Sequence, residues 1–162
     1  MVKIFNPMPV PTKNAKYLIF SVCALLFFLA AAYADLALRA RSAGLEGDKY
    51  AAWAGEPGLK KEFLENRFSS RLSALEREAA EGLLSSADLK DKKELLLAEK
   101  EFMLGESPAK YAYIWYKTAA GDFSPPETRW TRLARKKAPE ALELWKAGLR
   151  AEKIEFKDYE LK

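Results

Sequence analysis

Few residues in this chain have the type and spacing to do chemistry. The 162 residues include no His and a single Cys, Cys23. A Ser-His-Asp triad, a His-ligated metal, a four-cysteine zinc site and an intrachain disulfide are excluded by composition alone. The glycines form neither G-x-x-x-x-G-K nor G-x-G-x-x-G, so no phosphate loop is encoded. Carboxylates occur close together, as in Glu76 with Glu81 and Glu99 with Glu101. With no nucleophile beside them they read as solvated helix faces. No catalytic residue, cofactor or metal ligand is assigned, and a non-enzymatic role is expected.

Two clusters remain. The first is Arg129, Arg132, Arg135, Lys136 and Lys137. At helical spacing Arg129, Arg132 and Lys136 share one face, with Trp130, Leu133 and Ala134 towards the other. Such a face fits an anionic surface, either cardiolipin or phosphatidylglycerol headgroups or an acidic partner. The competing reading is a solvated face whose cations suit the helix dipole. Nucleic acid is not expected: the net charge is only +4, and no stacking aromatics are interleaved on that face. The second cluster is Tyr111, Tyr113, Trp115 and Tyr116, which point all round one helix. A small bundle is expected to leave some of these rings uncovered, which makes them candidates for contact with a partner protein.

The elements that position these residues begin with an uncharged run, Tyr17 to Ala34, reading YLIFSVCALLFFLAAAYA. As a helix it spans about 27 Å, close to the roughly 30 Å of a bilayer core. Lys16, Tyr17, Tyr33 and Arg39 fit the membrane interface, and Asp35 and Arg39 are spaced to pair. Residues 17–40 are therefore expected to form a single transmembrane helix. A cleaved signal peptide, with Ala32-Tyr33-Ala34 as its cleavage site, is the alternative. Phe20-Ser21-Val22 before Cys23 does not suit lipidation, so Cys23 reads as a small apolar residue. The basic counts on the two flanks tie, so orientation is left open.

Residues 1–16 are expected to be an extended Pro-rich tail, and the Gly-rich stretch 41–58 a linker. Residues 59–152 read as about five amphipathic helices in an antiparallel, hairpin-like arrangement, and 153–162 as a C-terminal tail. Ser85-x-x-Asp88, Ser107-Pro108 and Ser124-Pro125-Pro126-Glu127 mark helix starts. Gly82, Gly105 and Gly121 mark stops. Pro139 is expected to end the fifth helix near Lys137 and begin a sixth. No strand is predicted. Trp115, Trp130 and Trp145 recur every 15 residues, a spacing read as core packing because no longer repeat accompanies it.

The fold class is thus all-α with one N-terminal transmembrane helix. The function this implies is a non-catalytic, single-pass accessory or assembly subunit of a multi-subunit membrane complex. Its partners would be other subunits and the lipid bilayer, in the mitochondrial or bacterial inner membrane. Respiratory-chain or ATP-synthase accessory subunits are the analogy. The alternative is a membrane-anchored or secreted helical adaptor that binds a protein or peptide in a groove.

Overall fold

A computed structural model describes residues 13–158, 160 and 161, so the tail expected over 1–16 lies outside the described residues up to residue 12. Five helices and no strand are found among the described residues: α1 Lys13–Gly55, α2 Pro57–Ala80, α3 Ser86–Gly105, α4 Pro108–Gly121 and α5 Arg129–Ala151. The all-α class with one long apolar N-terminal helix is as the sequence predicts.

The largest departure is in α1. Its 43 residues run on through most of the expected linker and end at Gly55, a length of about 65 Å. Gly44 and Gly47 do not interrupt it. The reason is a stripe of small residues at three- and four-residue spacing, including Ala37, Ala40, Ala43, Gly47, Ala51 and Ala54. This stripe packs on α4 and α5, whose facing residues are Ala109, Ala112, Ala119, Ala134 and Ala141. Burial along the seam outweighs the roughly 1 kcal/mol that each helical Gly costs.

The second departure is in α5. Pro139 lies inside it, so one helix stands where two were expected, and four helices rather than five follow the apolar segment. Pro139 is exposed, while Ala134, Ala138 and Ala141 are clamped against the seam on the other side. Packing on that side carries the helix past the missing hydrogen bond. The start of α5 is also displaced from the expected Ser124-x-x-Glu127 box. Thr128 and Thr131 make the reciprocal cap instead: Thr131 N–H donates to Thr128 Oγ1 at 3.2 Å, and Thr128 N–H donates to Thr131 Oγ1 at 2.9 Å. Other signals hold as read. Ser85 Oγ accepts from Asp88 N–H at 3.1 Å, Ser107 caps α4, and Gly82 with φ +75° closes α2.

Two cores result. Ala43, Ala112, Tyr116, Ala119, Ala134 and Ala141 form the first, among α1, α4 and α5. Leu64, Phe68 and Leu96 form the second, inside the α2–α3 hairpin. Neither α2 nor α3 packs on α4 or α5; the hairpin joins the rest through α1·α2 contact. The C-terminal segment turns back, with Asp158 held by Lys146 at 2.9 Å and Leu161 buried beside Tyr113 and Trp145.

Candidate functional site

The apolar segment of α1 is bare. None of its most apolar 18-residue window is covered by the rest of the chain. Tyr17, Phe20, Phe27 and Phe28 are largely exposed. A core helix of a soluble protein buries such a run; this segment is long and apolar enough to cross a membrane, a test that a signal sequence passes equally. Lys16, Tyr17 and Tyr33 are exposed at its two ends. Arg39 pairs with Asp35 at 2.8 Å, the spacing the sequence suggested.

Burial begins abruptly after it. Leu36 and Ala37 are half-buried and Ala40 is fully enclosed. The register of the three core helices follows from individual contacts. Tyr111 stacks on Tyr50 with ring centroids 5.3 Å apart, and Tyr116 lies against Gly47 and Asp48, so α4 runs antiparallel to α1. Arg41 lies over Trp130 at 5.6 Å, and Lys137 pairs with Asp48 at 2.7 Å, so α5 runs parallel to α1. The 122–128 loop and the first turns of α5 therefore sit at the span-proximal end of the domain.

That places the basic face. Arg129, Arg132 and Lys136 are exposed along α5, with Arg129 and Arg132 nearest the span. Arg41, which sequence reasoning did not single out, joins them from α1. Arg41 and Arg129 lie 5.6 and 5.7 Å from the same Trp130 ring, a geometry in which the indole face attracts both cations. Arg135 departs from this face by pairing with Glu127.

The four aromatic residues do not form one surface. Tyr116 is only 3% exposed. Tyr111 stacks on α1, and Tyr113 meets Trp145 of α5 at 6.1 Å. Trp115 packs against the first core. α1, α5 and the returning C-terminal segment flank α4 on three sides, so Tyr116 is enclosed while Tyr111, Tyr113 and Trp115 stay half-buried. Trp145 and Trp130 are half-buried at helix contacts, in keeping with a packing role.

Three groups with a structural role were not legible as such. Asp48 accepts from the Tyr116 hydroxyl at 2.6 Å and from Lys137, at the wall of a groove of about 310 Å³ between α1, α4 and α5. Burial pushes the Tyr116 phenol well above its ordinary range, and the hydrogen bond to Asp48 adds to the rise. Lys60 is buried and donates to Leu104 O at 2.8 Å and Glu106 O at 2.6 Å. It satisfies carbonyls that the end of α3 leaves without partners. Burial lowers its pKa, opposed by the Glu106 carboxylate. The third group is apolar: Leu83 is 70%, Leu95 71%, Leu97 57% and Phe102 66% exposed on the α2–α3 hairpin.

Comparison of the chain with protein-family models, with curated proteins and with solved structures finds no match.

Proposed function

We propose that this chain is a single-pass membrane protein whose helical domain serves as a non-catalytic accessory or assembly subunit of a larger membrane complex. The observation that carries the reading is the α2–α3 hairpin. It has a three-residue buried core of its own and exposes Leu83, Leu95, Leu97 and Phe102. Leu95 and Phe102 are seven residues apart and lie on one side of α3. Two-helix hairpins that display large apolar residues gain stability by docking.

Membrane anchorage rather than export is favoured by the continuity of α1, which passes Ala34 without a break and enters the first core within two turns. The acid-free first 16 residues, with Lys3, Lys13 and Lys16, suit a bacterial or mitochondrial inner membrane. The complex would be of the respiratory-chain or ATP-synthase kind by analogy of design.

The test is purification of the tagged full chain from its native membranes in mild detergent, with mass spectrometry of co-migrating proteins. A stoichiometric set of membrane partners is expected. The double variant Leu95→Glu/Phe102→Glu should lose them while resisting carbonate extraction as the parent does. Recovery of the parent chain alone, as a monomer, rejects the reading.

A further inference from the structure

We propose that the span-proximal end of the helical domain is a binding site for anionic phospholipid headgroups, built by Arg41 of α1 together with Arg129 and Arg132 of α5 around Trp130. The inference rests on α1 spanning the membrane and goes beyond the role proposed above. It follows from register. Ala34 ends the uncharged run and Arg41 follows seven residues later, a rise of about 10 Å along the helix. The headgroup layer extends about 5–8 Å beyond the hydrocarbon on each side, and Arg side chains reach several ångströms along a helix. The Arg41 backbone therefore lies just above the headgroup layer with its side chain long enough to reach the phosphates, and the 122–128 loop lies closer to the membrane.

Charge and chemistry agree with that depth. Residues 35–42 and 122–136 hold six cations against three carboxylates. Two of the carboxylates are engaged, Asp35 by Arg39 and Glu127 by Arg135; Asp122 is the third. Arg41, Arg129, Arg132 and Lys136 have no ion-pair partner among the described residues, and the first two have only the Trp130 ring between them. Guanidinium groups bind phosphate oxygens in a bidentate manner. An indole in the same place prefers the interface. The arrangement favours a headgroup of net negative charge over a zwitterionic one, whose own cation offsets its phosphate, so phosphatidylglycerol serves as the probe.

The experiment reconstitutes the full chain in nanodiscs of phosphatidylcholine with a minority of phosphatidylglycerol. Native mass spectrometry then measures the phosphatidylglycerol retained on the protein relative to the bilayer. Each cation near the surface contributes about fivefold in association, about a hundredfold for three, enough to fill the site with phosphatidylglycerol and give a several-fold enrichment over a bilayer in which it is the minority. The triple variant Arg41→Gln/Arg129→Gln/Arg132→Gln should retain phosphatidylglycerol only at the bilayer ratio, whereas Arg41→Lys/Arg129→Lys/Arg132→Lys keeps most of the enrichment. Equal enrichment in the Gln variant, with unchanged helicity by circular dichroism, overturns the proposal, as does no enrichment in the parent. Inorganic phosphate that removes the enrichment at millimolar concentration would assign the site to a soluble anion and also overturn it. Carbonate extraction separates the two levels: a chain stripped from the membrane refutes the span itself, while a chain retained without enrichment refutes only the headgroup site.

Discussion

Replacing Gly47 with Ala tests the close approach of α1 and α4 on which the first core depends. A Cβ at Gly47 would lie 2.6 Å from both Cδ1 and Cε1 of Tyr116 and 3.2 Å from Cγ, where ordinary contact begins at 3.4 Å. The ring would have to retreat by about 0.8 Å, a shift of the kind that overpacked cores resist at about 1–3 kcal/mol. It has little room to do so. Tyr116 is enclosed, and its hydroxyl is tied to Asp48 at 2.6 Å. Against this stands the helix propensity gained on replacing Gly by Ala, about 1 kcal/mol. The net expectation is a loss of about 1 kcal/mol. Gly44, nearly one turn earlier on α1, supplies the control: a Cβ there meets nothing within 4 Å. Gly44→Ala should therefore gain most of the propensity term, placing the two variants about 2 kcal/mol apart. For a domain of this size that is a difference of about 8 °C in melting temperature. Thermal melts of the detergent-solubilised full chain by far-ultraviolet circular dichroism would resolve it. In a Tyr116→Leu background the clash is removed, so Gly47→Ala should change sign, a coupling of about 2 kcal/mol. A Gly47→Ala variant that melts with or above Gly44→Ala would refute the reasoning.

Tyr116→Phe removes the hydrogen bond to Asp48 and leaves the Asp48–Lys137 pair in place; a loss of about 1.5 kcal/mol near neutral pH is expected, as for hydrogen bonds to charged acceptors. Because burial and Asp48 raise the phenol above its ordinary value of 10.0, its contribution is complete below pH 10 and declines as pH climbs further. Melting temperature should then fall less steeply above pH 10 in Tyr116→Phe than in the parent, and parallel curves would reject the assignment. Lys60→Met keeps the stem but strips Leu104 O and Glu106 O of their donor; since Met escapes the desolvation that lowers the ammonium pKa, the loss should fall at the lower end of the usual range, about 1 kcal/mol. Hydrogen exchange should accelerate in the last turn of α3, with Lys61→Met as the exposed control, and unchanged exchange there would count against a capping role.

Local signals carried much of this fold. Ser85, Ser107, Gly82 and Gly121 act where short-range chemistry places them, because a cap or stop needs only its neighbours. The bare apolar run was legible for the same reason. What failed were places where a distant contact decides. Gly44, Gly47 and Gly55 suggest a linker until α4 is laid along α1, when the ring of Tyr116 makes Gly47 the point of close packing. The spacing of Ala37, Ala40, Ala43, Gly47, Ala51 and Ala54 was visible in the sequence, yet glycine density outweighed it. Pro139 reads as a break until both turns beside it are held by the seam. Of the candidate site, Arg129, Arg132 and Lys136 were found from spacing alone. Arg41 was not, since its place beside Trp130 depends on two helices 89 positions apart in sequence meeting in register, as the Lys137–Asp48 pair shows.

The unbroken path of α1 also decides how the domain can move. Between Ala34 and Ala40 there is neither Gly nor Pro, the residues at which helices bend sharply. Gly44 and Gly47 lie beyond the first enclosed residue, where α4 and α5 splint the helix. A domain attached through a flexible linker would sample orientations over the bilayer independently of its anchor. Here any tilt or rotation of the apolar segment is carried into α4, α5 and the base of the hairpin as one body. The α2–α3 hairpin is the exception, joined through α1·α2 contact and stabilised by a core of its own. Its smaller core predicts the lower local stability of the two halves. A partner that docks on Leu95 and Phe102 would therefore order the less stable half of the domain and limit its motion relative to the α1, α4 and α5 body.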